Sequence, residues 1–261
     1  DFHYLRPEWQ ETCQRDALIG VGQTGIGSGQ VLNYDLKEAA LEVVKENERA
    51  AKLLGINAAA RCTTVKPSGT SSCVLGSSSG IHAWHNDFYI RRQRVGKNEA
   101  LYQYFAEHHP ELVEDEFFNP TEQAVIEIPQ EAPAGSILRT ESPVDLLDRV
   151  RRYNTEWIAS GHNDGQNAHN VSCTISIKED EWELVGDWMW KNRYTFNGIA
   201  CLPYNGGTYV QAPFEDISEE RYRMMEASLS TIDLTQVKEV DDKTDLSGEA
   251  ACAGGMCELT F

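Results

Sequence analysis

Residues 170–203 read NVSCTISIKEDEWELVGDWMWKNRYTFNGIACLP. The first part alternates strictly. Val171, Cys173, Ile175 and Ile177 fall on one side, and Ser172, Thr174 and Ser176 on the other. Successive strand residues point to opposite faces, so this is a strand with one buried face. The middle, KEDEWELVGDWMWKN, has helical spacing and predicts Trp182, Val185 and Met189 turned inward. GIACLP, residues 198–203, is a second short strand. A strand, a crossover helix and a strand at this spacing predict a parallel pair in an α/β fold.

Outward from this unit, ESPVDLLDRVRRYNTEWIASG (residues 141–161) predicts a helix. Ser142 is its N-cap, Pro143 stands in the first turn, and Asp145 completes a pattern like a capping box. Leu146, Leu147, Val150, Trp157 and Ile158 form its buried stripe. LKEAALEVVKENERAAKLLG (residues 36–55) is another amphipathic helix. Leu36, Ala40, Val43, Val44, Ala51 and Leu54 share a face there, and Gly55 suits the stop. RCTTVKPSGTSS (residues 61–72) follows. Its Cys62–Val65 stretch is β-branched and short, Pro67 ends it, and a loop of small residues runs from Ser68 to Ser72. No internal repeat is visible.

The chain has 261 residues, enough for one large domain or two small ones, and a formal net charge of −18. Such a charge opposes general binding to DNA, RNA or anionic membrane, but not a small phosphorylated ligand held by local contacts. No apolar run approaches the ~20 residues of a membrane span, and DFHYLRPEWQ is no signal peptide. The absent initiator Met suggests a fragment or a processed chain. Seven cysteines in scattered positions argue against a secreted disulfide framework and for a reducing, cytoplasmic setting.

The loop KPSGTSS, residues 66–72, has the composition of an anion cradle. Backbone N–H groups around Ser68, Gly69 and Thr70 would converge, hydroxyls of Thr70, Ser71 and Ser72 would add donors, and Gly69 allows close approach. It is not a P-loop, because Lys66 precedes the loop. The plainer reading is a strand-to-helix turn with Ser/Thr capping. After Thr231 the sequence becomes acidic and Gly-containing and reads as a flexible arm. That arm carries Cys252 and Cys257 in CAGGMC. Glycines between two thiols let a small ring close, so a redox dithiol is one reading and incidental cysteines the other. No third or fourth ligand accompanies them, and none accompanies His82 and His85, so no metal site is expected. Cys62, Cys73, Cys173 and Cys201 read as small buried hydrophobes. Arg91, Arg92 and Arg94 read as a solvated, salt-bridged face, and HNDGQNAHN, residues 162–170, as a polar loop.

Several segments in one order resemble a known family. ALIGVGQTGIG (17–27), TTVKPSGTSS (63–72), GIHAWHNDFYIRR (80–92), NVSCTISI (170–177), GIACLPYNGGTYVQAP (198–213) and CAGGMC (252–257) are similar to segments of adenosylcobalamin-dependent, class II ribonucleoside-triphosphate reductases. The resemblance runs from about Ala17 to the end. It implies that residues 1–235 are the C-terminal part of the ten-stranded α/β barrel of ribonucleotide reductases, with residues 236–261 a flexible redox-active tail. Pro67, Ser68, Gly69, Thr70, Ser71 and Ser72 would bind substrate phosphate, and Cys252 and Cys257 would re-reduce the active site. The implied cofactor is adenosylcobalamin, with no site placed on this chain. The implied partners are an N-terminal reductase polypeptide or segment, thioredoxin or a similar dithiol donor, and a ribonucleotide. Nothing matches the family's N-x-C-x-E radical-cysteine motif, and the effector region is missing, so the chain alone is expected not to turn over. A class I, diiron-dependent large subunit and a phosphate-binding or assembly module without chemistry remain the alternatives.

Overall fold

The computed structural model describes residues 2, 4–204, 206 and 209–238. In chain order the elements are α1 (Pro7–Asp16), α2 (Leu36–Leu54), α3 (Thr70–Leu75), β1 (Phe88–Gly96), α4 (Ala100–His108), β2 (Val113–Asp115), β3 (Gln123–Glu131), α5 (Pro143–Tyr153), β4 (Cys173–Ile177), α6 (Trp182–Lys191), β5 (Ile199–Pro203), β6 (Phe214–Asp216) and α7 (Glu219–Ser228). They form two compact units. One takes the described residues of Asp1–Trp84 and Gly135–Tyr204, the other those of His85–Ala134 and Asn205–Phe261.

In the first unit β4 and β5 pair in parallel, Cys173 opposite Ile199 and Ile177 opposite Pro203. Parallel bridges Val65–Val171 and Val21–Thr63 extend the ladder. Four extended segments are thus linked in the order 19–21, 61–65, 171–177 and 199–203. The expected parallel unit is present, and Val171, Cys173, Ile175 and Ile177 are all buried. Leu147, Val150 and Tyr153 of α5 pack on them, together with Trp157 and Ile158. The Ser142–Asp145 capping box is formed, fixing the start of α5. Past Tyr153 the helix widens into a π-turn, Asn154–Ile158, and docks on the ladder. The Trp157 indole donates to the Thr64 carbonyl at 3.1 Å, and the Thr63 hydroxyl donates to the Trp157 carbonyl at 2.7 Å.

Two positions on these helices differ from expectation. Trp182 is 42% exposed. A 3-10 turn, Glu179–Glu181, precedes α6 and leaves Trp182 at the helix start, so the buried stripe is Val185 and Trp188. The Trp188 indole is satisfied by the Asp148 carboxylate at 2.9 Å. Leu54 is 71% exposed, because only Leu36, Ala40 and Ala51 of α2 reach full burial.

The second unit is an antiparallel sheet in the order β2-β3-β1-β6. Val95, Tyr104, Phe105, Leu112, Ala124 and Ile126 form one cluster, and Ile90, Ile217 and Tyr222 another. Arg92 is buried here instead of solvated. It is bonded to Glu127 at 2.6 Å, to Glu215, and to the Ala212 carbonyl at 3.1 Å. Arg91 lies 4.2 Å over the Phe214 ring, and Arg94 bonds Glu116 at 3.4 Å. The basic run is therefore consumed in the unit's own polar core.

Residues 231–238, which composition assigns to the arm, are anchored. Ile232 and Val237 pack on the Tyr104 cluster, and the Asp233 amide donates to the Tyr104 hydroxyl at 2.8 Å. Two apolar side chains at the right spacing outweigh the polar average of the segment. Among the described residues no helix is long and apolar enough to cross a membrane.

Candidate phosphate-binding site

In a parallel ladder, connections leaving the C-terminal ends of adjacent strands can converge on a ligand. Here the segments after Val21 and after Val65 meet each other. Thr24 reaches across to Ser68, their hydroxyl oxygens 2.6 Å apart. Thr24 Oγ1 donates to the Ser78 carbonyl at 3.1 Å and accepts the Gly80 amide at 3.0 Å. A hydroxyl has one proton. With Thr24 committed to Ser78, the Ser68 hydroxyl must give its own proton to Thr24. The Gly25 amide bonds the Ser78 carbonyl at 2.9 Å and the Gly27 amide bonds Ser78 Oγ at 3.1 Å, which sews the two loops together. Gly80 permits this closeness: a Cβ there would stand 2.5 Å from the Lys66 carbonyl oxygen, and its φ is +56°.

The loop itself turns at Gly69, with φ +48° and ψ −120°, and enters α3 at Thr70. That conformation suits glycine alone. Not every donor that the sequence suggests is open. The Ser68 and Gly69 amides both point at Ser79 Oγ, at 3.0 and 3.3 Å. The Ser71 amide bonds the Ser68 carbonyl at 3.0 Å, and the Ser72 hydroxyl bonds the Gly69 carbonyl at 2.6 Å. Left without a backbone partner among the described residues is the Ser72 amide, in the first turn of α3. The exposed Ser71 hydroxyl and the proton of Ser79 Oγ add to it. Ser79, Thr24 and Ser78 are thus parts of the cradle that sequence reading missed. Serines in GSSSG gave no periodic signal, and Thr24 lies more than forty residues upstream of its partner Ser68.

Behind the cradle, His82 is held as a neutral imidazole. Nδ1 donates to the Ser79 carbonyl at 3.0 Å and Nε2 accepts the Thr174 amide at 3.1 Å. Burial holds its pKa below the ordinary histidine value, with Arg149 adding to the effect. The His82 ring thereby ties the Ser79 turn to β4.

Of the cysteines expected to be buried, Cys62 and Cys173 are, Cys201 is half-buried and Cys73 is exposed on α3. Burial, with a smaller contribution from Cys201, pushes the Cys173 thiol up to about 12. Cys252 and Cys257 lie outside the described residues. No group of three or more His, Cys, Asp and Glu side chains among the described residues is arranged to hold a metal.

A crystal structure of a B12-dependent, class II ribonucleotide reductase superposes with a TM-score of 0.68 over 84% of this chain, at 23% identity. The fold is that of part of a class II reductase. Among curated proteins, the adenosylcobalamin-dependent ribonucleoside-triphosphate reductase of Lactobacillus acidophilus is 29% identical over 221 residues, 83% of this chain. The probable adenosylcobalamin-dependent ribonucleoside-triphosphate reductase of Dictyostelium discoideum is 28% identical over 268 residues, 97% of this chain. The chain spans 29% and 33% of those relatives, and 34% of the solved class II chain. No protein-family profile matches the sequence.

Proposed function

We propose that this chain is the C-terminal portion of an adenosylcobalamin-dependent ribonucleoside-triphosphate reductase, supplying its substrate-phosphate cradle and its redox dithiol. The observation that carries this reading is the placement of the 66–72 loop. It leaves the C-terminal end of a parallel segment, is locked to the neighbouring loop through Thr24 and Ser68, and keeps the Ser72 amide without a backbone partner among the described residues. Similarity to the class II reductases over most of the chain supports it.

In this reading the polyphosphate of a ribonucleoside triphosphate rests against Pro67, Ser68, Gly69, Thr70, Ser71 and Ser72. The open Ser72 amide and the Ser71 hydroxyl donate to its oxygens, and the bonds from Thr24 and Ser79 hold the loop rigid. Ribose reduction oxidises a pair of thiols in the active site to a disulfide. One thiolate of the Cys252/Cys257 pair attacks that disulfide, releasing one active-site thiol. The second tail cysteine then closes the tail disulfide and releases the other. A dithiol donor of the thioredoxin class reduces the tail by the same exchange. Each exchange moves two electrons and conserves sulfur and protons.

Adenosylcobalamin initiates radical chemistry when bound. A corrin's amide-bearing rim needs many polar partners, and the groove in the first unit lined by residues such as Val21, Val43 and Leu54 is mostly apolar and does not fit it. The cofactor and the radical cysteine belong in this reading to reductase sequence outside this chain, on the same or a separate polypeptide, in the cytoplasm.

The test is the complete reductase with Cys252→Ser and Cys257→Ser together. Turnover with thioredoxin is expected to vanish, while turnover with a small dithiol such as dithiothreitol persists. Unchanged thioredoxin-driven turnover would reject the shuttle, and no deoxynucleotide from the unsubstituted assembly would reject the reductase reading itself.

A further inference from the structure

The second unit closes a clip on the segment that follows α7. The Tyr104 hydroxyl accepts the Asp233 amide at 2.8 Å and stands 3.4 Å from His109 Nε2, while His109 Nδ1 stands 3.3 Å from the Ser230 hydroxyl. Tyr104 accepts from Asp233, so its own proton goes to Nε2, and Nδ1 carries the ring proton toward Ser230. His109 is 1% exposed, which shields this chain of bonds from water. The Asp233 carboxylate accepts the Thr235 amide at 3.1 Å, the Thr235 hydroxyl at 2.6 Å and the Gln236 side-chain amide at 3.0 Å. It thereby caps a 3-10 turn, Leu234–Gln236, and Val237 beyond that turn packs on the same cluster as Ile232. Ordering so polar a segment costs backbone entropy, and these specific contacts are what offset it.

We propose that this clip sets the length of the dithiol tether. Tyr104 and His109 are positioning residues that hold the chain as far as Val237, so that the tether of Cys252 and Cys257 starts at Lys238 instead of at the end of α7. This rests on the shuttle reading above. Cys252 follows Lys238 by fourteen residues and Ser228 by twenty-four. At about 3.5 Å per extended residue, the two tethers reach at most about 50 and 85 Å. The local concentration of a tethered group falls roughly as the −3/2 power of tether length once the tether spans the distance. Opening the clip therefore dilutes the dithiol about two-fold. It also lets the chain lose ten residues between the clip and Cys252 without shortening the working tether.

The test compares the complete reductase in four forms: unsubstituted, with Ile232→Asn and Val237→Asn to open the clip, with residues 239–248 deleted, and with both changes. Ile232 and Val237 are only partly buried against their cluster, so the unit should keep its fold, and melting of each form verifies this. Turnover driven by thioredoxin is read against turnover driven by dithiothreitol, which bypasses the tether and is expected to be equal in all four. Opening the clip alone should lower the thioredoxin-driven rate about two-fold. The deletion alone leaves a four-residue tether of about 14 Å and should lower that rate at least about ten-fold. With both changes the tether again has fourteen residues, and the rate should return to within about two-fold of the unsubstituted enzyme. Independently, Tyr104→Phe should quicken hydrogen exchange at the Asp233 amide by about ten-fold, the scale of one lost hydrogen bond. The proposal is overturned if the deletion has the same effect with the clip open as with it closed, or if Tyr104→Phe leaves Asp233 exchange unchanged. Thioredoxin-driven turnover in the unsubstituted enzyme would then leave the shuttle reading standing. Its absence there, with dithiothreitol-driven turnover intact, would reject the shuttle and this proposal together.

Discussion

Thr24 and Ser68 place their hydroxyl oxygens 2.6 Å apart, joining the loops that leave two neighbouring parallel segments. Thr24 is also the acceptor for the Gly80 amide. Thr24→Val would leave that amide and the Ser68 hydroxyl without their partner, at a cost of about 1–3 kcal/mol for a desolvated donor. Urea unfolding should show this loss, and Thr24→Ser should restore most of it. Equal stability of the Val and Ser variants would show that the bond contributes nothing.

His82 gives the first unit a dependence on acid. Its folded pKa lies below the ordinary value of 6.5, and burial is the main cause. Above pH 6.5 both folded and unfolded histidine are neutral, so stability is at its plateau. As pH falls below 6.5 the unfolded state takes up the proton first, and stability declines until the folded pKa is passed. Protonation would also abolish the Nε2 acceptor for the Thr174 amide. Melting between pH 7.5 and 5 should fall more steeply for the unsubstituted chain than for His82→Gln. Parallel curves would assign the acid sensitivity to other groups.

Arg92 is the centre of the second unit's polar core, bonded to Glu127 and Glu215. Arg92→Leu strands the buried Glu127 carboxylate and is expected to destabilise by about 3–5 kcal/mol. Arg92→Leu with Glu127→Leu removes both charges and should recover a large part of that loss. Denaturant titration of the two variants gives the comparison. A single variant as stable as the unsubstituted chain would contradict the burial of this pair.

Thiol reactivity should follow burial. With Cys173 near 12, its thiolate at pH 8 is roughly one part in ten thousand, and its side chain is covered as well. Cys13 and Cys73 are exposed. Alkylation with iodoacetamide under native conditions, read by peptide mass spectrometry, should modify Cys13 and Cys73 first and Cys173 last. Early labelling of Cys173 would mean that β4 opens.

The sequence by itself determined the parallel unit. Alternation in 171–177, the Ser142 capping box and the stripe Leu146–Ile158 are local signals, set within a few residues and read with period two or 3.6. The candidate phosphate loop was visible too, because Ser68–Ser72 are adjacent in the chain. Only the tertiary structure decided which donors of that loop are open. Thr24 and Ser79 take up its hydroxyl and amide groups from other segments, and long-range partners leave no periodic trace. The antiparallel sheet of the second unit, the burial of Arg92 and the anchoring of Ile232 and Val237 have the same cause. Composition reports the average of a segment, whereas burial is decided residue by residue by what the fold brings alongside.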